Sequence, residues 1–450
     1  MALQRLEGFA AQAMVQASPR ALYLAAHAAL GFVILATRVV IVPVSLQMVL
    51  YTGSILYIAS HHSLSMLHKD KETGEGIQVE ALSRRDAMLF PVVGSIALFG
   101  MYLAYKFFGS FWVNILLSTY LTIVGCVALA ETIRPMLSPL FPHELRRQTL
   151  SREFRIPCLQ KETDEPVKLT FTKVHIAAYG LSLCSSLTYL WTKNWTLQNL
   201  FAIAFSLQAV AMISLGRFVV AFILLTGLFF YDIFWVFGTE VMVSVATQFI
   251  GPIKIIFPVS FDPWKQSILG LGDIVIPGIF VAMCLRFDAF LHKSGRGVAT
   301  SGAAGEEELS SFSSFPKPYF LRVYLSYVVS LLVTAAVMFF FSRPQPALLY
   351  LVPGTILTLL CSSHLRGDLE ALWAYNEEDM APKKKTEEAE GASEKPVGAE
   401  ATPVEESHGG EVTEMPAVPP KGGARRRSDS PGLRATGEDL AAVAGETKED

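Results

Sequence analysis

The sequence predicts an all-α membrane protein of nine transmembrane helices with a disordered, hydrophilic tail. Three observations carry that reading. Hydrophobic residues make up 52% of the chain and charged ones only 17%, and the mean hydropathy is positive, which is high for a soluble protein. Apolar runs recur between residues 39 and 367, most close to the ~20 residues a helix needs to cross hydrocarbon. Basic residues gather in alternate loops between those runs, as the positive-inside rule requires.

Taken in order, residues 1–38 form an N-terminal segment whose apolar stretch, residues 21–37, fits a signal sequence or an extra helix equally well. The nine-helix domain covers residues 39–367, with spans expected at 42–60, 87–106, 111–130, 174–191, 197–215, 218–238, 267–286, 320–341 and 346–362. Lys69, Lys71, Arg84 and Arg85 follow the first span; Arg134, Arg146, Arg147, Arg152 and further basic residues follow the third; Lys293, Arg296 and Lys317 follow the seventh. These loops are expected in the cytosol, so the start of the first span is lumenal. Residues 368–450 are rich in Glu, Lys, Ala, Pro and Gly and bury too little apolar surface to fold, which predicts a disordered cytosolic tail.

The composition points to no cofactor. Cys126, Cys158, Cys184, Cys284 and Cys361 lack metal-ligand spacing, as do His27, His61, His62 and His175. The net charge of −3 averages a greasy body with a charged tail, and no nucleic-acid partner is expected. Glu131 and Asp288 fall at span ends and read as solvated caps. Asn194-Trp195-Thr196 is a glycosylation sequon too close to two spans to be used.

Two acids stand out. Asp232 lies in the run 218–238, six residues before its end, and Asp273 lies six residues after the start of the run 267–286. A carboxylate in hydrocarbon is costly, so an intramembrane acid is a functional-site candidate by default. Consecutive spans are antiparallel, so equal offsets from the shared loop put both acids at one depth, roughly 9 Å below the surface. Two carboxyls meeting there cannot both ionise easily. A pair that shares a proton can activate water and protonate a leaving amide nitrogen, which is the chemistry of peptide hydrolysis. A proton relay in a transporter would also use buried acids; that alternative, and a non-catalytic scaffold for degradation of membrane proteins, stand beside the protease.

Tyr231-Asp232, Gly270-Leu271-Gly272-Asp273 and Gln345-Pro346-Ala347-Leu348 resemble the YD, GxGD and QPAL signatures of the signal peptide peptidases, intramembrane aspartyl proteases related to presenilin. The similarity extends through 231–239, 269–280 and 345–353, and more weakly over 60–287. The resemblance implies a presenilin-like nine-helix fold, with Asp232 and Asp273 as the catalytic pair and no metal or cofactor. It implies the lipid bilayer as surroundings, and transmembrane peptides as substrates, namely signal peptides and type II membrane proteins. Location in the endoplasmic reticulum membrane, assembly as a homo-oligomer and association with factors of membrane-protein degradation are further implications.

The remaining motif residues carry open readings. Gly270 and Gly272 lack side chains, so the seventh span can approach the sixth, or a substrate, closely. Tyr231 orients the first acid, lines the substrate channel, or makes an ordinary aromatic contact. Pro346, Ala347 and Leu348 shape the site by freeing carbonyls for substrate, or simply start a helix. Residues 240–249 read as a short amphipathic helix. Residues 252–258, bounded by prolines, read as a strand offering an edge to an unwound substrate, or as a loop on the bilayer surface.

Overall fold

The computed structural model describes residues 19–73, 82–142, 145, 149–154, 167–295, 315–341 and 345–377. Eleven helices and two hairpins appear among them: α1 (Pro19–Ala36), α2 (Val44–Thr73), α3 (Arg84–Leu137), β1 (Thr149–Phe154), β2 (Val167–Thr172), α4 (Lys173–Thr192), α5 (Trp195–Met212), α6 (Phe218–Phe237), α7 (Val241–Gln248), β3 (Lys254–Phe261), β4 (Trp264–Gly270), α8 (Gly272–Lys293), α9 (Pro318–Phe341), α10 (Leu348–Arg366) and α11 (Leu369–Ala374). The tail beyond residue 377, with its Arg425-Arg426-Arg427 cluster, and most of the linker 294–314 lie outside the described residues.

The helical membrane architecture expected from the sequence is present. Six helices among the described residues are long and apolar enough to cross a bilayer: α3, α5, α6, α8, α9 and α10. α3 covers two expected spans. It breaks between them at Gly109, whose φ of 77° and ψ of 157° are not helical and are open to glycine because it has no Cβ. α2 and α4 run through two more expected spans. At the head of the chain, α1 packs on α2 with Leu30 and Val33 inside the main apolar core.

Local signals set the helix ends. Ser83 and Asp86 form a reciprocal capping box at the start of α3. Asn194 caps α5 by accepting the Thr196 amide at 2.8 Å, so the sequon asparagine is engaged in the fold. Gly367 ends α10 in the left-handed conformation.

α8 is the centre of the bundle. Its residues from Gly278 to Ala289 are all buried, and it packs against α2, α5, α6, α9 and α10. A Cβ at Gly278 would come within 2.9 Å of Val210, so α8 and α5 touch almost backbone to side chain.

Two boundaries and one side chain differ from the sequence reading. The expected seventh span, 267–286, loses its first residues to β4, and α8 starts only at Gly272. Hydropathy cannot separate an apolar strand from the helix it feeds, and Ser267-Ile268-Leu269-Gly270 is such a stretch. The folded domain does not stop at residue 367: α11 follows, and Ala371, Leu372 and Tyr375 are buried in the main core. Asp288 is not a solvated cap. It is 2% exposed and accepts the amides of Tyr319 and Phe320 at 3.2 and 2.8 Å, closing the N-terminal turn of α9 from a neighbouring helix. Glu131, by contrast, is a half-exposed partner of Arg134 at 3.0 Å.

Candidate active site

Asp232 sits near the end of α6 and is 3% exposed. Asp273 occupies the first turn of α8 and is half-buried. Its position is therefore at a helix start, not one and a half turns inside a span. The helices that carry the two acids, α6 and α8, pack against each other, and α10 packs against both.

The Pro346-Ala347-Leu348 motif forms the start of α10. All three residues are buried, and the Leu348 amide donates to Asp232 Oδ2 at 3.1 Å. The first amides of a helix have no partner within it, so α10 offers one of its free donors, at the positive end of its dipole, to the acid on α6. The carbonyl that Pro346 would leave free, four residues earlier, lies outside the described residues. The Pro346 carbonyl accepts Leu349, and the Ala347 carbonyl accepts Tyr350 and Leu351, all within the first turn of the helix.

Pro277 shapes the other side. Proline has no amide to give the carbonyl four residues earlier, and that carbonyl belongs to Asp273. The Tyr327 hydroxyl of α9 donates to it instead, at 3.4 Å. Tyr327 is fully buried and was not singled out by sequence. The available signal was the four-residue offset between Asp273 and Pro277, which marks an orphaned acceptor without naming its partner.

Gly270 closes β4, and a Cβ there would meet only Asp273 Oδ2, at 3.6 Å; a Cβ at Gly272 meets nothing within 4 Å. Neither glycine is what lets α8 approach α6. Gly270 instead lies beside the Asp273 carboxyl. Tyr231 makes the ordinary aromatic contact: its ring lies against α3 where a Cβ at Gly94 would sit 3.6 Å away, and 6.3 Å from the ring of Trp235.

The segment before α8 folds as expected and then adds a strand. α7 falls within the amphipathic stretch, and β3 takes in residues 254–258 of the proline-bounded one, paired with β4 in an antiparallel hairpin. Three side chains from helices seal the far side of β3. Gln198 donates to the Lys254 carbonyl at 3.4 Å, Asn199 exchanges two bonds with Ile256 at 2.7 and 2.8 Å, and Gln47 donates to the Pro258 carbonyl at 3.0 Å. The Lys254 ammonium reaches back to the Ala246 carbonyl of α7 at 2.9 Å, and burial lowers its pKa. Among the described residues no strand pairs with the outer side of β4, and no group of three or more His, Cys, Asp or Glu side chains is gathered to hold a metal ion.

Comparison with known proteins agrees with this arrangement. The family model described as signal peptide peptidase matches residues 74–379. Signal peptide peptidase of Mus musculus is 36% identical over 324 residues, covering 70% of this chain and 79% of its own length. The Homo sapiens protein of that name is 36% identical over 321 residues, covering 69% and 78%. Intramembrane protease 2 of Caenorhabditis elegans is 40% identical over 226 residues, covering 48% and 46%. With the matched region running from the end of α2 through α11, and holding both acids and the start of α10, this chain is a multi-pass membrane peptidase that belongs to the signal peptide peptidase family.

Proposed function

We propose that Asp232 and Asp273 are the catalytic dyad of an intramembrane aspartyl protease that cuts within the transmembrane segments of signal peptides and type II membrane proteins. The observation that carries this reading is the hydrogen bond from the Leu348 amide to Asp232: it seats the start of α10 on the first acid, while α8, which carries the second, packs against both α6 and α10.

The chemistry follows from the different surroundings of the two acids. Asp232 already accepts an amide, a role the ionised carboxylate fills best, so it is the base. Asp273 supplies the shared proton. Water, losing a proton to Asp232, bonds through oxygen to the scissile carbonyl carbon while Asp273 protonates the carbonyl oxygen. The tetrahedral intermediate then collapses: the C–N bond breaks, the nitrogen leaves with a proton from Asp232, and the proton on the hydroxyl returns to Asp273.

A helical substrate hides its carbonyls in hydrogen bonds, so it must unwind before attack. The hairpin offers a template for the unwound segment. Leu271 donates to the Ile253 carbonyl at 3.0 Å, which fixes Ile253 and Leu271 as a hydrogen-bonded pair in the observed register. Alternation then turns the backbone of Lys254, Ile256 and Pro258 outward on β3, and that of Gln266, Ile268 and Gly270 outward on β4. The β3 groups are the ones sealed by Gln198, Asn199 and Gln47. The edge available to a substrate is therefore β4, in place of the residues 252–258 expected from sequence, and it ends three residues before Asp273.

By charge distribution the hairpin end is lumenal and the tail cytosolic. By kinship with the signal peptide peptidases the membrane is that of the endoplasmic reticulum. The test is incubation of the detergent-purified chain with a synthetic type II transmembrane peptide, beside Asp232→Asn and Asp273→Asn. Cleavage by the parent and by neither variant is expected. Equal turnover by all three rejects the dyad.

A further inference from the structure

We propose that residues 368–377, the short strap after α10, act as a positioning clamp on the two aspartate helices, with the buried Arg286–Glu377 pair as its lock. The strap was expected to belong to the solvated tail. Instead Glu377 is 4% exposed and Arg286 2%, and their side chains meet at 2.8 Å between Nε and Oε1. The other carboxylate oxygen accepts the Ser214 hydroxyl and, at 3.4 Å, the Gly216 amide. The Glu377 amide in turn donates to the Gly216 carbonyl at 2.8 Å, and Arg286 also donates to the Ser63 hydroxyl on α2. One glutamate thus ties the strap to α8, to the α5–α6 connection and, through the guanidinium, to α2. Aromatic rings complete the grip. Tyr375 lies 5.5 Å from Phe218 at the start of α6, and 5.2 and 5.3 Å from Phe287 and Phe290 on α8. Trp373 sits 5.7 Å from Phe222 on α6.

These anchors lie far from the chemistry in equal measure. Phe218 precedes Asp232 by about 21 Å of helix, and Arg286 follows Asp273 by about 20 Å. The strap therefore holds the far ends of two levers whose near ends carry the acids. At that length a tilt of about 3° moves a carboxyl by about 1 Å, and a misplacement of about 1 Å can cost on the order of a hundredfold in rate. Neither Arg286 nor Glu377 touches the reacting atoms; both are positioning residues.

The inference rests on the protease reading, and the experiment separates the two. The full chain, a chain ending at residue 377, a chain ending at residue 367 and full-length Glu377→Gln are purified in detergent. Each is assayed with the synthetic type II transmembrane peptide and with a hydroxyl-bearing peptide isostere that mimics the tetrahedral intermediate. Hydrogen exchange over α8 is followed in parallel. The chain ending at 377 should match the full chain. Glu377→Gln should lose about tenfold in kcat and as much in isostere affinity, with KM unchanged and faster exchange at the Arg286 end of α8; the chain ending at 367 should lose more. A fall in folded protein with unchanged kcat per folded molecule would overturn the clamp, since simple stabilisation predicts that result. So would unchanged kcat and unchanged exchange in Glu377→Gln. Absence of cleavage by the full chain would instead overturn the protease reading.

Discussion

At the residue scale, the site depends on backbone groups that the helices leave over. Leu348 gives Asp232 a donor because the first amides of a helix are free, and Tyr327 repairs the carbonyl that Pro277 strands at Asp273. Replacing Tyr327 by Phe removes that repair and leaves a buried acceptor unpaired, a loss of about 1–3 kcal/mol at the turn that holds the acid. The expected outcome is a fall of about tenfold in kcat with little change in KM, read with the same transmembrane peptide. The two acids, the paired glycines and Pro346-Ala347-Leu348 were legible in sequence because each belongs to a short contiguous motif. Tyr327 was not, since its partner is 54 residues away and no local pattern joins them. Asp288 was misread for the same reason. Its place near the end of an apolar run suggested water, whereas the amides of Tyr319 and Phe320, 31 and 32 residues later, provide what water would have provided.

At the element scale, the β3–β4 hairpin is one-sided. Asn199 and its neighbours occupy β3, leaving β4 to receive a guest strand. Ile268 tests this. Its amide points away from β3 in the observed register, so proline there removes a donor from the outer edge and spares the hairpin's own ladder. Ile268→Pro should raise KM for the transmembrane peptide by about tenfold, a loss of one to two net hydrogen bonds. Leu269→Pro, which breaks the inner ladder, should lower both kcat and affinity. Equal behaviour of Ile268→Pro and the parent would remove β4 as the substrate edge. β3 was legible in part through the stretch between Pro252 and Pro258, but β4 hid inside an apolar run continuous with α8. Periodicity over seven residues is too short to separate the two.

At the scale of the whole molecule, helices pack around α8, and the last of the polar closures forms at the end opposite the hairpin. Lys317 belongs to that end. It lies just before α9, with its ammonium 3.2 Å from His61 Nε2 on α2 and 4.8 Å from the centre of the Phe315 ring, while Asp288 on α8 acts on it electrostatically. Burial lowers its pKa to about 8, against the pull of Asp288. The unfolded chain, with a lysine near 10.5, then binds more protons between pH about 8 and about 10.5, so stability rises with pH across that window. Lys317→Met should abolish that rise: the variant should melt above the parent at pH 7, and the gap should narrow towards pH 10 when thermal midpoints in detergent are compared. The helical membrane character and the order of the long apolar segments were readable from the hydropathy pattern along the chain. The closures were not, because Arg286 and Glu377 are 91 residues apart and a lone glutamate at the head of a charged stretch looks like any other.

That separation has a consequence for how the chain is made. Synthesis delivers Arg286 well before Glu377, so a growing chain carries an unanswered guanidinium inside a bundle that is otherwise nearly assembled, and a buried cation without its carboxylate is strongly unfavourable. The bundle is finished only when the strap has emerged behind α10. Under the proposed clamp, a polypeptide that stops before residue 377 is left loose at the end where its two acid-bearing rods should be bound together.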